Sequence, residues 1–183
     1  MKRCIFFMKD LKIRNPKEFD NIKEIICNSA KEFGDKTAFV IKTKENGETN
    51  YNNISYKKLL EDINALGTAL YKLGFKDKRI AVIGKNRYEW VLAHLTNVMG
   101  GIISIPLDKD LQLEELENSL IRSKAEAIVY DDKLEELIRE IEQRGKTEIK
   151  KYICMSKDVE DLLKMGYEEI EKRGDEIHKL QGG

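Results

Sequence analysis

The sequence predicts an α/β protein: a doubly wound, mostly parallel sheet with flanking helices, preceded by a helix and a β-hairpin. Three observations carry that class. Residues 79–108, RIAVIGKNRYEWVLAHLTNVMGGIISIPLD, read as a complete strand–helix–strand unit. Apolar runs near Ile80, Ile103, Ile128 and Ile153 recur at similar intervals, each followed by a helical pattern. They share no motif, so they are successive βα units and not a solenoid. Asn46–Gly47, set between two β-prone runs, marks a hairpin turn ahead of those units.

Each element follows in order. Residues 1–36 form a leading segment and a helix, residues 37–54 the hairpin, and residues 55–183 the βα units. Asn15 and Pro16 suit a helix start, as N-cap and first-turn proline, with Phe19, Ile22, Ile26, Ala30 and Phe33 on one face before Gly34. Thr37 to Ile41 is a strand, paired through the turn with a second strand reaching Ile54. Ser55 caps a helix whose apolar face is Leu59, Ile63, Leu66, Leu70 and Leu73, ending at Gly74. In the Arg79–Asp108 unit, Ile80 to Ile83 is a strand buried on both faces. Asn86 offers an N-cap, with Glu89 placed for a capping box and Trp90, Val91, His94, Leu95 and Val98 on the inward stripe. Gly100–Gly101 stops that helix, and Ile102 to Ile105 is a second, central strand closed by Pro106.

Asp110 then caps a helix with Leu113, Leu116, Leu120 and Ile121 inside. Ala127 to Tyr130 is a third strand, and Asp131–Asp132 heads a helix with Leu134, Leu137, Ile138 and Ile141 inward, ended by Gly145. Ile149 to Met155 is a fourth strand. Ser156 caps a short helix bearing Val159, Leu162 and Leu163, and the charged stretch from Tyr167 to Leu180 is weakly helical.

Composition bounds function. A chain of 183 residues is long enough to bury one sizeable core. Lysine plus arginine and aspartate plus glutamate both number 33, which gives no pull toward nucleic acid or an anionic membrane. Cys4, Cys27 and Cys154 are odd in number and form no CxxC pair, and two histidines complete no familiar metal set, so reduced thiols and a cytoplasmic location are expected. The apolar run Cys4 to Met8 is too short for a signal h-region or a membrane span.

Four positions invite a chemical reading. Ile83-Gly84-Lys85-Asn86 follows a strand as a phosphate loop would, but it has one glycine where a dinucleotide fingerprint needs three. A plain strand-to-helix turn is the stronger reading. His94 has no partner in sequence to orient it as a base and reads as a packed histidine. Asp108 and Asp131–Asp132 stand just past strand ends, where open-sheet ligand sites gather, yet turn and cap roles explain them more simply. The Glu and Lys runs between Glu135 and Lys151 are solvated helix faces. Residue chemistry alone stops at an α/β domain of unstated function.

Resemblance goes further. Ile54-Ser55-Tyr56-Lys57-Lys58-Leu59 resembles the first core motif of the adenylate-forming acyl-CoA synthetases, Leu-Thr/Ser-Tyr-x-Glu-Leu, with Lys58 in place of the usual glutamate. The stretch Val98 to Asp108 is similar to their second core motif, a Gly-apolar-Pro-Leu-Asp strand. Between them Gly74 to Ile83 and Asn86-Arg87-Tyr88-Glu89-Trp90 match the layout, while Gly34 to Phe39 and Arg122 to Ala127 resemble the flanking segments. The likeness covers residues 33–141, and the Asn-Arg-Tyr-Glu-Trp and Pro-Leu-Asp-Lys wording is most similar to the long-chain fatty acid branch.

That resemblance implies a ligase in which ATP and a fatty acid form an acyl-adenylate and pyrophosphate, and coenzyme A then takes the acyl group. Magnesium would balance the charge developing on the transferring phosphate. ATP, magnesium and coenzyme A are implied for the whole family, and no cofactor for this stretch. The Ser/Thr/Gly-rich phosphate loop ending in Pro-Lys-Gly, the adenine and ribose motifs, the hinge and the mobile C-terminal domain with its catalytic lysine are not matched before Gly183. No catalytic, cofactor-binding or metal residue therefore carries over. An N-terminal portion, inactive alone, is the leading expectation, and a truncated sheet would favour self-association. A free-standing remnant binding a partner or small ligand, and an unrelated flavodoxin- or receiver-like domain, stand as alternatives.

Overall fold

The parallel sheet, the feature that positions everything else, is assembled from four short strands. The computed structural model describes residues 17–45 and 47–180. The predicted helix start at Asn15–Pro16 and the turn residue Asn46 lie outside them, as does Cys4.

The first helix starts later than its proline suggested. Asn21 caps α1 (Ile22–Phe33) by accepting the Glu24 N–H at 2.9 Å, and Glu24 returns a carboxylate oxygen to the Asp20 N–H at 3.2 Å. This reciprocal cap satisfies two orphan donors, so Phe19 falls before the helix. β1 (Thr37–Glu45) and β2 (Glu48–Ser55) form the antiparallel hairpin, with Gly47 at φ 85° in its turn. The hairpin is a separate two-stranded sheet anchored by Phe39 and Ile54, which pack against the main core.

Ser55 caps α2 (Tyr56–Lys72), its Oγ accepting the Lys58 N–H at 3.1 Å. Leu59, Ile63, Leu66 and Leu70 are buried as their spacing required, each contributing about 1.5–3 kcal/mol of apolar burial, whereas Leu73 lies past the helix and is exposed.

β3 (Arg79–Ile83) is one of the two inner strands of the sheet. Ile80 and Val82 face one layer, with Leu66 and Leu92; Ala81 and Ile83 face the other, with Leu116 and Leu120. The next strand, β4 (Ile103–Leu107), is an edge and not a central strand. The chain reverses direction at β3, whose other flank is taken by β5 (Ala127–Tyr130), followed outward by β6 (Lys151–Cys154). Ile103 is consequently half exposed and Pro106 exposed. Its missing N–H is tolerable at such an edge.

Helices cover both faces, as the doubly wound class requires. α2, α3 (Tyr88–Met99) and α6 (Asp158–Leu180) lie on one side; α4 (Leu113–Ser123) and α5 (Glu135–Arg144) lie on the other. Opposite faces follow from chain direction. β3 to β4 steps one way and β4 to β5 steps back, so right-handed crossovers must lie on opposite sides.

Three helix expectations are corrected. α3 is capped by Arg87 with no side-chain cap bond, because Glu89 is held instead by the Arg87 Nε at 2.6 Å. Its buried face is Leu92, Ala93, Thr96 and Asn97, while Trp90, Val91, His94 and Leu95 are half-buried and Val98 is exposed. α4 is capped by Gln112, whose N–H donates to Glu115 at 3.2 Å, and not by Asp110; Ile121 is exposed. α6 is one helix of 23 residues beginning at Asp158, whose carboxylate accepts the Cys154 N–H at 2.6 Å, so Ser156 is left for another role.

Candidate functional site

The carboxyl ends of parallel strands are where an open α/β sheet builds ligand sites, at the point where strand order reverses. Here that point lies between β3 and β5. Gly84 follows β3 directly, at φ 152°, and a Cβ there would stand 2.7 Å from the Asp131 Cβ. Only glycine lets the two strand ends approach so closely. The Asp131 N–H reaches back to the Ile83 carbonyl at 3.1 Å. A cleft of about 200 Å³ opens there, bordered by Gly84, Lys85, Lys109, Asp131 and Lys133.

Beside it stands a charged network that residue reading did not anticipate. The Arg87 guanidinium binds Glu89 through Nε, and through one Nη it meets Asp132 at 3.0 Å and the Ser156 hydroxyl at 2.9 Å. Ser156 donates to the same Asp132 oxygen at 2.6 Å. The bond to Glu89 strengthens the hold of Arg87 on its proton, and the Ser156 bond draws the Asp132 carboxyl below its ordinary range. One guanidinium thus joins the ends of β3, β5 and β6. It presents no activated nucleophile and no free base.

The four positions singled out in sequence resolve as follows. Gly84 to Asn86 is a strand-to-helix turn. Asp108 makes a turn into α4, its Oδ1 accepting the Asp110 N–H at 3.0 Å. Asp131 caps the single 3₁₀ turn Asp132–Leu134 by accepting the Lys133 N–H at 3.1 Å. His94 is half-buried, its ring stacked on Trp90 with centroids 5.4 Å apart and its Nδ1 at 2.9 Å from Ser104 Oγ. These positions do not converge on one reacting centre.

A second polar cluster, also missed, lies among the helices. Asp62 on α2 is 3% exposed. Its carboxylate accepts Tyr88 Oη at 2.7 Å, Tyr167 Oη at 2.5 Å and Lys58 Nζ at 2.7 Å. Burial, reinforced by Asp62, pushes the Tyr167 hydroxyl up to about 12 and holds that of Tyr88 higher still. Lys58 keeps its proton more tightly than usual: burial opposes this, but its bonds to Asp62 and Tyr167 prevail. The i,i+4 spacing of Lys58 and Asp62 was the available sequence signal. The residue that departs from the family motif is thus engaged with an acid one turn on.

A magnesium centre does not fit these side chains. Among the described residues no three of His, Cys, Asp or Glu gather closely enough to hold a metal ion. Cys27 is half-buried and Cys154 buried, each as a free thiol. No described helix is long and apolar enough to cross a membrane.

Comparison with known proteins agrees with this scaffold. The model of the family described as AMP-binding enzyme matches residues 27–179. The mitochondrial medium-chain acyl-CoA ligase ACSF2 of Mus musculus is 30% identical over 110 residues, which is 60% of this chain and 17% of that enzyme. The uncharacterized acyl-CoA ligase YtcI of Bacillus subtilis is 30% identical over 120 residues, 64% of this chain and 22% of the relative. The chain therefore spans a fifth or so of the curated relatives it matches. A long-chain-fatty-acid-CoA ligase from Archaeoglobus fulgidus superposes with a TM-score of 0.70 at 19% identity, over 82% of this chain and 30% of that one. The fold is thus shared with such ligases, and the chain belongs to the AMP-binding enzyme family, with acyl-CoA ligases among its relatives.

Proposed function

We propose that this chain is the N-terminal portion of a fatty acid–CoA ligase, the part that forms scaffold and not the reacting centre. In the whole enzyme ATP and a fatty acid would give an acyl-adenylate and pyrophosphate, with magnesium assisting, and coenzyme A would then accept the acyl group. The observation that carries the reading is the family match over residues 27–179. The sheet end supports it: Arg87, Asp132 and Ser156 satisfy one another and leave no group poised for chemistry. Alone, the chain would be inactive, and it would work in the cytoplasm.

Chain length is the finer question. The Asn86–Trp90 and Pro106–Lys109 wording favours a long-chain acid, whereas the named curated relative acts on medium-chain acids. A free-standing, non-catalytic binding domain on the same fold is the second reading, favoured by the cleft of about 200 Å³ at the sheet end. Reading the frame past Gly183 separates the two. A Ser-Gly-Thr-Thr-Gly-type loop in continuous frame supports the ligase portion, and an immediate stop codon supports the binding domain.

A further inference from the structure

We propose that the leading segment of this chain, through residues 10–14, adds a third strand to the hairpin along the free edge of β1. A two-stranded sheet is marginal alone, and β1 pairs only with β2. A groove of about 550 Å³ runs beside it, lined by the consecutive β1 residues Phe39 to Thr43 and bordered by Tyr88 and Val91 of α3. A cavity over one face of a strand touches alternate residues, so an unbroken run with none from β2 marks an edge. Among the described residues no backbone group outside β2 bonds to residues 39–43. Every second N–H and C=O of this stretch is left to solvent, which is the template an edge strand offers.

The entry point of the chain names the occupant. Lys17, the first described residue, holds Glu32 at 3.1 Å in the last turn of α1. That helix ends at Phe33 and β1 begins at Thr37, so the sixteen residues ahead of Lys17 enter at the base of the hairpin. From Lys17 back to Asp10 the chain can span about 23 Å, more than the roughly 17 Å between Thr37 and Lys42 on β1. Its sequence suits the edge. Asp10-Leu11-Lys12-Ile13-Arg14 alternates charged and apolar side chains at period two, and Pro16 ends the run. Entering at the base, the segment runs antiparallel to β1. Leu11 and Ile13 then share the face of half-buried Phe39 and Ile41, and Lys12 that of exposed Val40. Lys42 is exposed and has no ion pair among the described residues. Setting Asp10 opposite Lys42 selects one register, with Leu11 beside Ile41 and Ile13 beside Phe39.

The test is amide hydrogen exchange, read by NMR, on the full 183-residue chain. With β2 as sole partner, protection alternates along Phe39 to Thr43; with a third strand it is continuous, and residues 11–13 share it. Continuous protection, independent of protein concentration, is the expected result. Leu11→Asp with Ile13→Asp should speed the outward β1 amides about tenfold or more, with Ile80 to Ile83 unchanged. Should exchange at Ile80 to Ile83 change as well, the milder charge swap decides. Asp10→Lys should speed the outward β1 amides about threefold, and Asp10→Lys with Lys42→Asp should restore them. The proposal is overturned by alternating protection, by protection that rises with concentration and so assigns the edge to a second copy, by β1 exchange indifferent to these variants, or by a double swap that restores nothing.

Discussion

Asp62 shows what a single buried charge does in this protein. Its carboxylate gathers hydroxyls from α3 and α6 and the ammonium of Lys58 on its own helix. Asp62→Ala would leave two phenols and an ammonium without their shared acceptor, at a cost of about 3 kcal/mol in urea unfolding. The same cluster sets an alkaline limit. The Tyr167 hydroxyl is raised to about 12 from an ordinary value near 10, so its contribution is complete below roughly pH 10. It is lost as pH climbs through about 12. Tyr167→Phe should therefore flatten the fall in urea midpoint across that window, and an unchanged slope would remove Tyr167 from the account. Little of this was legible in sequence. The Lys58–Asp62 spacing was visible, but Tyr167 is 105 residues from Asp62, and such a pairing exists only once α6 folds back.

Among the elements, α6 departs most from its sequence pattern. Its weak, charged second half is helical because the first half docks tightly on α2. At Gly166 a Cβ would stand 1.9 Å from the Ala65 carbonyl oxygen, whereas at Gly174 nothing lies within 4 Å. Two identical substitutions should then have opposite signs. Gly166→Ala should destabilise by about 1–3 kcal/mol through overpacking, and Gly174→Ala should stabilise by about 0.5–1 kcal/mol through helix propensity. Thermal melts of the pair read both. α3 departs from its sequence pattern for a related reason. Its apolar residues Trp90, Val91 and Val98 look inward by composition, but Thr96 and Asn97 occupy the buried side. Against an edge strand such as β4, half of an apolar stripe has nothing to cover it. Elements with uniform apolar runs, β3 and β5 above all, were legible because both faces are enclosed.

For the whole molecule, the strand-and-helix succession could be read from the sequence, but the strand order could not. Apolar runs identify parallel strands without saying which neighbour each takes, so β4 was placed centrally though it lies at the edge. That edge also bears on assembly. With Ile103 half exposed on β4 and Val98 exposed on α3, we expect weak self-association, and Ile103→Lys should lower the concentration-dependent rise in sedimentation coefficient. The candidate site was legible mainly as wording. Arg87 and Trp90 lie within the Asn86–Trp90 stretch, whose wording resembles the family, yet the partnership of Arg87 with Asp132 and Ser156 needed three strand ends brought together. On the proposed reading, this chain carries the family's scaffold and its chemistry requires segments beyond those matched. Fatty-acid-dependent ATP–pyrophosphate exchange by the purified 183-residue protein tests it most directly. The account predicts no exchange above the enzyme-free background with either octanoate or palmitate, and robust acid-dependent exchange would contradict it.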